Sequence, residues 1–186
     1  MEFVEPIRDT EKIRTMKLYL RKRSRRDFLL FVLGINTGLR ISQMLELLCS
    51  DVIENDTPRD FLNIKTKCQT ERVYLNQKVK QALSSYLKQK NLNHDDFLFG
   101  SSNKKRPITR QQAYRIINQA AVSAGIHDKI GTHTLRKTFG YHAYKQGIAV
   151  SLLQKRFNHE TRGATLRYIG INDDEKAEPP LMDVNL

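Results

Sequence analysis

The sequence predicts an α+β domain that is mainly α-helical and carries one small antiparallel β-hairpin. Most of the chain places apolar residues three and four apart, the spacing of a helix that packs on one side. Residues 61–76 follow a period of two instead, in which Leu62 and Ile64, and later Val73 and Leu75, alternate with polar residues. That alternation indicates two short strands joined by a tight turn.

The chain is basic, and its charge is unevenly distributed. It has 32 Lys and Arg residues against 20 Asp and Glu residues, a net charge of +12 at pH 7. The C-terminal end is acidic, so we expect one domain over residues 1–172 and an acidic tail over residues 173–186. A body this basic indicates a polyanionic partner, most simply double-stranded DNA. Charge that serves only solubility is the alternative.

The composition argues against several other classes. The two cysteines, Cys49 and Cys68, do not make a disulfide framework, and no Cys or His residues have zinc-site spacing. We therefore expect neither a metal nor a cofactor. The sequence shows no signal peptide and no apolar run of membrane-spanning length, so we predict a cytoplasmic protein without a membrane partner.

Two helices are predicted at the N-terminal end. Asp9 or Thr10 caps the first, over residues 11–20, and residues 27–35 are apolar nearly all round, which indicates a buried helix. The run between them, residues 21–26, holds five cations. Such a run is typical of a solvated connection, and it also suits contacts with phosphate groups that carry no base specificity.

A turn then presents an arginine. Gly38 ends the buried helix with a backbone that can become left-handed, Arg40 follows, and Ser42 begins the next helix. The backbone therefore holds Arg40 on both sides. From this position alone, a carboxylate partner and a functional role for Arg40 both remain open.

The predicted hairpin has an apolar face and a basic face. A turn centred on residues 68–69 pairs Ile64 with Val73 and Leu62 with Leu75, which places all four apolar side chains on one face.

On the opposite face we expect Lys65, Lys67, Thr70 and Arg72. Lys67 then lies at the turn and reaches outward. Lys65, two residues earlier on the same face, is the alternative candidate for a functional lysine. Lysines that prevent edge-to-edge strand pairing are the alternative for both.

Five further helices and one apolar element are predicted after the hairpin. They are a helix over residues 77–90, an apolar element over residues 96–100, a helix from its cap Thr109 through Ser123, a helix from Thr132 or His133 to Gly147, a helix over residues 152–157 capped by Ser151, and a short last helix that holds Thr165, Leu166, Tyr168 and Ile169. On the helix that Thr109 caps, Arg110 and Arg115 point either to solvent or to DNA.

Residues 131–168 concentrate side chains that suit phosphate chemistry. His133 and Arg136 are three apart, so a helix places them on one face. Asn158 tolerates a left-handed backbone at a helix end, which holds His159 just beyond that end. The basic pair is consistent with surface charge on a core helix or with half of a functional site.

Together these positions resemble the catalytic domain of the tyrosine recombinases, the phage integrase family. The resemblance covers residues from about 5 to 171 and keeps the order of five motifs. The matching motifs are Thr37-Gly38-Leu39-Arg40-Ile41-Ser42, Lys67 before Glu71-Arg72-Val73, His133-Thr134-Leu135-Arg136, Asn158-His159, and Tyr168.

The resemblance implies an attack on a DNA phosphodiester without a metal. Arg40 and Arg136 clamp the scissile phosphate, since a guanidinium donates two hydrogen bonds and stays protonated. His159 donates a hydrogen bond to a phosphate oxygen. Tyr168 is the nucleophile and forms a 3′-phosphotyrosyl bond, which keeps the energy of the broken bond for rejoining without ATP.

By resemblance, two further residues transfer protons: Lys67 protonates the leaving 5′ oxygen, and His133 is an acid or base near the tyrosine. The resemblance implies a site-specific recombinase or integrase that acts on double-stranded DNA as a DNA-dependent homo-oligomer, a tetrameric synapse. A non-catalytic or regulatory DNA-binding relative and a topoisomerase-like strand relaxer are the alternatives. The sequence specifies neither the DNA site nor the choice among integration, excision, inversion and resolution.

The chain departs from the family pattern at two positions and in its length. Gln43 stands where the family commonly has Glu or Asp, and Asn158 stands where it often has Gly. Family members usually add an N-terminal helical domain that closes around DNA. We therefore expect either a small stand-alone recombinase, whose DNA binding is strongly salt-dependent, or one part of a longer protein.

Overall fold

Nine helices and four short strands form the part of the chain that the computed structural model describes, residues 4–55, 57–65, 70–88, 92–101 and 105–171. The helices are α1 (Thr10–Arg23), α2 (Arg25–Thr37), α3 (Ile41–Leu45), α4 (Cys49–Val52), α5 (Gln77–Leu87), α6 (Arg110–Ser123), α7 (Thr132–Lys145), α8 (Val150–Phe157) and α9 (Arg162–Tyr168). The strands are β1 (Ile53–Glu54), β2 (Thr57–Pro58), β3 (Phe61–Lys65) and β4 (Thr70–Tyr74). The prediction of a mainly helical α+β domain is confirmed. Lys67 and the tail predicted over residues 173–186 lie outside the described residues.

None of these helices is long and apolar enough to span a lipid bilayer.

Polar caps begin or end several helices at the predicted places. The Asp9 carboxylate accepts hydrogen bonds from the first turn of α1, and Thr109 caps α6. Asn158 ends α8 in the left-handed conformation, with φ 56°. The prediction that Ser151 caps α8 is wrong. The helix begins at Val150, two residues earlier than predicted, because this side chain is buried and extends the apolar face of α8.

The basic run at residues 21–26 is not a connecting segment as predicted. Its first three residues form the last turn of α1, and Ser24 alone interrupts the helix. The Ser24 side chain accepts a hydrogen bond from the backbone N–H of Asp27 and thereby begins α2. Arg26 pairs with the buried Asp27 and donates to the carbonyl oxygen of Gly100. Part of the run therefore holds the fold together.

The hairpin forms where it was predicted, but its predicted register is wrong by two residues. Leu62 lies opposite Val73 and Ile64 opposite Glu71, while β1 and β2 form a second antiparallel pair. A shift of two keeps each side chain on its predicted face because strands have a period of two. The apolar pattern therefore fixes the faces of the hairpin but not the register, and the observed register places Glu71 opposite Ile64.

Helix α7 is approached closely on two sides. On one side is Gly34 of α2, where an added Cβ would lie 2.6 Å from Leu135 Cδ1. On the other is Gly140 of α7 itself, where an added Cβ would lie 2.5 Å from Ile169 Cγ2 and 2.8 Å from Phe157. Two glycines thus bring α7 close to α2 on one side and to α8 and the end of α9 on the other.

The N-terminal segment before α1 crosses α7 and reaches the end of α9. The backbone N–H of Ile7 donates to Thr138 Oγ1 at 2.9 Å, and His142 Nε2 lies 2.9 Å from the Ile7 carbonyl oxygen. Arg8 donates to the carbonyl oxygen of Gly170 at 2.7 Å. The first and last described segments are therefore held side by side.

We expect Gly140→Ala to lower the free energy of unfolding by about 1–3 kcal/mol, because the added methyl group overpacks the contact with Phe157 and Ile169. Urea denaturation measures this change. Gly163→Ala is the matched control, since a Cβ there meets nothing within 4 Å. It should leave stability unchanged or raise it by up to about 1 kcal/mol. Equal stability of the two variants would contradict the close approach at Gly140.

Candidate active site

Arg136 lies in α7 and is 6% exposed. The alternative interpretation from the sequence, a surface charge on a core helix, is therefore wrong for this residue. Its guanidinium donates to the carbonyl oxygen of Gly38 and, at 3.1 Å, to that of Arg156. The guanidinium carbon also lies 4.6 Å from the centroid of the Phe157 ring. Burial lowers the pKa of Arg136 to about 10, so the side chain remains a cation at neutral pH.

The turn that precedes Arg40 is shaped by Gly38, which has φ 63° and is packed against Phe139. A Cβ on Gly38 would lie 2.4 Å from the Phe139 ring, so both conformation and space require glycine. Arg40 is the exposed N-cap residue of α3, and its backbone N–H donates to Gln43 Oε1 at 2.9 Å. Gln43, the departure from the family pattern, therefore caps this turn as a carboxylate would.

His133 lies in the first turn of α7, where it is exposed on the same side as several cations. Although His133 is exposed, the packed residues beside its ring remove part of its hydration, and this desolvation, followed by the charges of Arg136, Lys137, Arg40 and Arg110, lowers its pKa. Protonated His133 would add a positive charge to this group. In the free protein the imidazole is therefore held in its neutral form.

His159 follows the left-handed Asn158, as predicted, and its tautomer is set by a threonine. The Thr165 hydroxyl donates to the carbonyl oxygen of Thr161 at 3.2 Å, so it can only accept from His159 Nδ1, which lies 3.1 Å away. Nε2 is then the nitrogen left for other partners. Burial, then Arg136 and Arg40, lower the pKa of His159.

Tyr168 is the last residue of α9, and its ring lies among the other site residues. Its centroid is 4.9 Å from that of the His159 ring and 5.3 Å from that of Phe157. Burial raises the pKa of the Tyr168 hydroxyl, while the charges of Arg136 and Arg40 and a hydrogen bond from Arg136 oppose that rise. The phenol rests protonated beside the buried guanidinium.

The structure brings together Arg40, Arg136, His159 and Tyr168 among the predicted site residues, with His133 at the edge of the same positive region. Within the described part of the chain, the ring of His159, rather than that of His133, packs on Tyr168. Lys65 is exposed opposite Thr70 at the end of β3.

Because Lys67 falls outside the described residues, the choice of Lys67 over Lys65 stays a prediction.

Sequence reasoning missed two basic residues that border the site. Lys137 is 6% exposed, its ammonium lies 5.3 Å from the centroid of the Tyr168 ring, and burial lowers its pKa while Glu5 opposes that change. Arg156 pairs with Glu71 and donates to the carbonyl oxygen of Thr37 at 2.7 Å. The position of Lys137 directly after Arg136 was the available signal for the first. For Arg156 the sequence contained no such signal, because its partners Glu71 and Thr37 are far away in the chain.

No group of three or more His, Cys, Asp or Glu side chains converges as a metal-ligand set among the described residues.

We expect Arg40→Gln to raise the pKa of both His133 and His159, because Arg40 is one of the charges that disfavour their protonated forms. Burial still acts on both rings, so the pKa values should stay below about 6.5. An NMR titration of the imidazole protons measures the change. Arg115→Gln removes an exposed charge from α6 that is not among these causes and should leave both pKa values unchanged. If neither pKa changes in Arg40→Gln, the guanidinium of Arg40 does not lie close enough to the two histidines to act on them.

Comparison with known proteins shows to which family the chain belongs. The chain is 42% identical to a probable integrase/recombinase YoeC of Bacillus subtilis (strain 168) over 174 residues, 94% of this chain and 93% of that protein. It is 29% identical to a tyrosine recombinase of Pseudothermotoga lettingae over 155 residues, 83% of this chain and 52% of that protein.

The fold matches a crystal structure of the XerH site-specific recombinase bound to a palindromic difH substrate, with TM-score 0.71 and 20% identity over 91% of this chain and 50% of that one. The predicted catalytic-domain fold is confirmed by this match. The chain spans about half the length of these last two proteins. A profile of the phage integrase family matches residues 9–175. The chain belongs to the phage integrase family, the tyrosine recombinases.

Proposed function

We propose that this protein is a site-specific recombinase that cuts and rejoins DNA strands through a 3′-phosphotyrosyl intermediate on Tyr168. One observation carries the proposal: the Tyr168 hydroxyl lies at the buried guanidinium of Arg136, within the field of Arg40 and beside His159. A nucleophile and phosphate-binding cations thus converge at one place. The site-specific recombinase XerH, which shares the fold, has been crystallised with its DNA substrate.

The proposed phosphate site uses the free donors of two arginines. Arg136 has five N–H groups, of which two are directed at the carbonyl oxygens of Gly38 and Arg156. The others remain for the Tyr168 hydroxyl and a phosphate oxygen, and Arg40 adds an exposed guanidinium. Fixed cations of this kind stabilise the charge on the non-bridging oxygens in the transition state. They supply this charge without a metal ion.

The proposed reaction moves two protons. Tyr168 loses its proton as its oxygen bonds to phosphorus, and the leaving 5′ oxygen gains one as its bond to phosphorus breaks. We assign the second proton to Lys67 of the hairpin and acid–base assistance at the tyrosine to His133. His159 binds a phosphate oxygen through Nε2, which donates once the ring is protonated. A bound phosphate offsets the neighbouring cations and so favours that protonation.

The proposed domain covers residues 1–172, with an acidic tail over residues 173–186. Exchange of strands between two duplexes requires more than one tyrosine, so we propose that the protein assembles on DNA as a homo-oligomer, in the form of a tetrameric synapse.

We expect wild-type protein to form a covalent adduct with a nicked DNA substrate whose short cleaved strand diffuses away, and Tyr168→Phe to form none, because the attacking oxygen is missing. Denaturing gel electrophoresis detects the adduct. Tyr19→Phe, which removes a hydroxyl that accepts a hydrogen bond from Arg23 on α1, is the control and should react like wild type.

The same reaction should proceed in EDTA, and Arg40→Gln should slow it by about 10²–10³-fold. Adduct formation by Tyr168→Phe would refute the assignment of the nucleophile. A wild-type protein that binds DNA but never forms an adduct would instead favour a regulatory relative.

We expect chemical crosslinking to trap tetramers when DNA carrying the target site is present, and smaller species without DNA. Size-exclusion chromatography with light scattering measures the same change without a crosslinker. A monomer that remains a monomer on target DNA, at concentrations that support adduct formation, would contradict the proposed synapse.

A further inference from the structure

In the described part of the β3–β4 hairpin, Glu71 is the inward-facing side chain that makes an ion pair with the rest of the domain. The side chains of Leu62, Ile64 and Val73 belong to the hydrophobic core, and Ile64 lies opposite Glu71, so apolar contacts hold the inner face of the hairpin up to the level of Glu71. In the described part of β4, Glu71 is the last inward-facing side chain before the turn, because inward positions alternate along the strand. Its carboxylate pairs with Arg156, and the side chains of the two residues are 28% and 15% exposed respectively.

Arg156 also contacts the turn that precedes Arg40. Its Nη2 and Nε groups donate to the carbonyl oxygen of Thr37 at 2.7 and 3.3 Å. The same residue accepts a hydrogen bond at its own carbonyl oxygen from Arg136 at 3.1 Å. A single residue thus joins the hairpin, the arginine turn and the buried arginine.

The chain continues from Arg156 directly to the rest of the site. Phe157, which packs on Arg136 and Tyr168, is the next residue, and His159 comes two residues later. Glu71 also offsets the charge of Arg156, since the two act in opposite directions on Arg136. The pair therefore sets distances within the site without adding net charge to it.

From these contacts we infer that the Glu71–Arg156 pair is a positioning device, which holds the β3–β4 hairpin, the segment that carries the proposed proton-donating lysine, against the turn before Arg40 and the end of α8. The inference rests on the proposed function. When Tyr168 forms its bond to phosphorus and the bond to the 5′ oxygen breaks, the proton for that oxygen comes from the hairpin lysine. Proton transfer is sensitive to distance, so a hairpin that is released near its turn delivers the proton slowly.

Paired DNA substrates isolate this step. One is the ordinary nicked DNA, and the other carries sulfur in place of the bridging 5′ oxygen. A thiolate leaves without a proton at neutral pH, so the second substrate does not need the lysine. Single-turnover rates of adduct formation are measured at saturating DNA, where DNA affinity has no effect. The proteins are wild type, Glu71→Gln, Arg156→Gln, the double variant and Lys155→Gln, an exposed neighbour on α8 with the same loss of charge as Arg156→Gln.

On the oxygen substrate we expect Glu71→Gln and Arg156→Gln to react about 10–100-fold more slowly than wild type, and Lys155→Gln to stay within about twofold. The double variant should be no slower than the slower single variant, because both changes break one pair. On the sulfur substrate the defect should shrink to less than about threefold.

If Arg156→Gln does not fold, as circular dichroism would reveal, Glu71→Gln and Arg156→Lys are used for the test instead. Arg156→Lys keeps the charge but lacks the fork that bridges Glu71 and Thr37, so it should be intermediate.

Three results would overturn the inference: rates equal to that of Lys155→Gln, a double variant whose defect is the product of the two single defects, or a defect that persists in full on the sulfur substrate. Failure of the proposed function itself is a different result, since wild-type protein would then form no adduct with either substrate.

Discussion

The buried guanidinium of Arg136 is the interaction on which the rest of the site depends. A charge removed from water is costly unless it is hydrogen-bonded, and here two backbone carbonyls and the face of Phe157 surround it. One carbonyl comes from the turn before Arg40 and the other from the end of α8. Because Arg136 needs hydrogen-bond acceptors, it brings together three segments that are distant in the chain: α7, the turn at Gly38 and the end of α8.

The positive charges around this residue are arranged for an anion. His133 and His159 both have a lowered pKa, and neighbouring arginines contribute to each shift. In the free protein the arginines disfavour further positive charge nearby, so the neutral form of both histidines is favoured. In the proposed function, a bound phosphate group would offset that repulsion, so the site would favour an anion more than separate arginine contacts would.

The faces of the elements could be predicted from the sequence, but the contacts between elements could not. Periodicity located the helices and the hairpin, and cap residues such as Asp9 and Thr109 located helix ends. The slip in hairpin register had no local signal, because a shift of two residues leaves the same side chains inside.

Within the candidate site, recognisable motifs predicted residues such as Arg136 and Tyr168 individually, and the structure brings these two together. The burial of Arg136, the place of Lys137 and the bridge made by Arg156 depend on residues brought close by folding.

The segment before α1 has a consequence for how the protein is made. Arg8 bonds to Gly170, across 162 positions of sequence, and Ile7 bonds to Thr138. Contacts between such distant positions close large loops and form late in folding. On the ribosome the N-terminal residues emerge first and must wait for α9 before these bonds can form. The end of α9, which carries Tyr168, therefore gains this support only after residue 170 has been synthesised and has packed against the segment before α1.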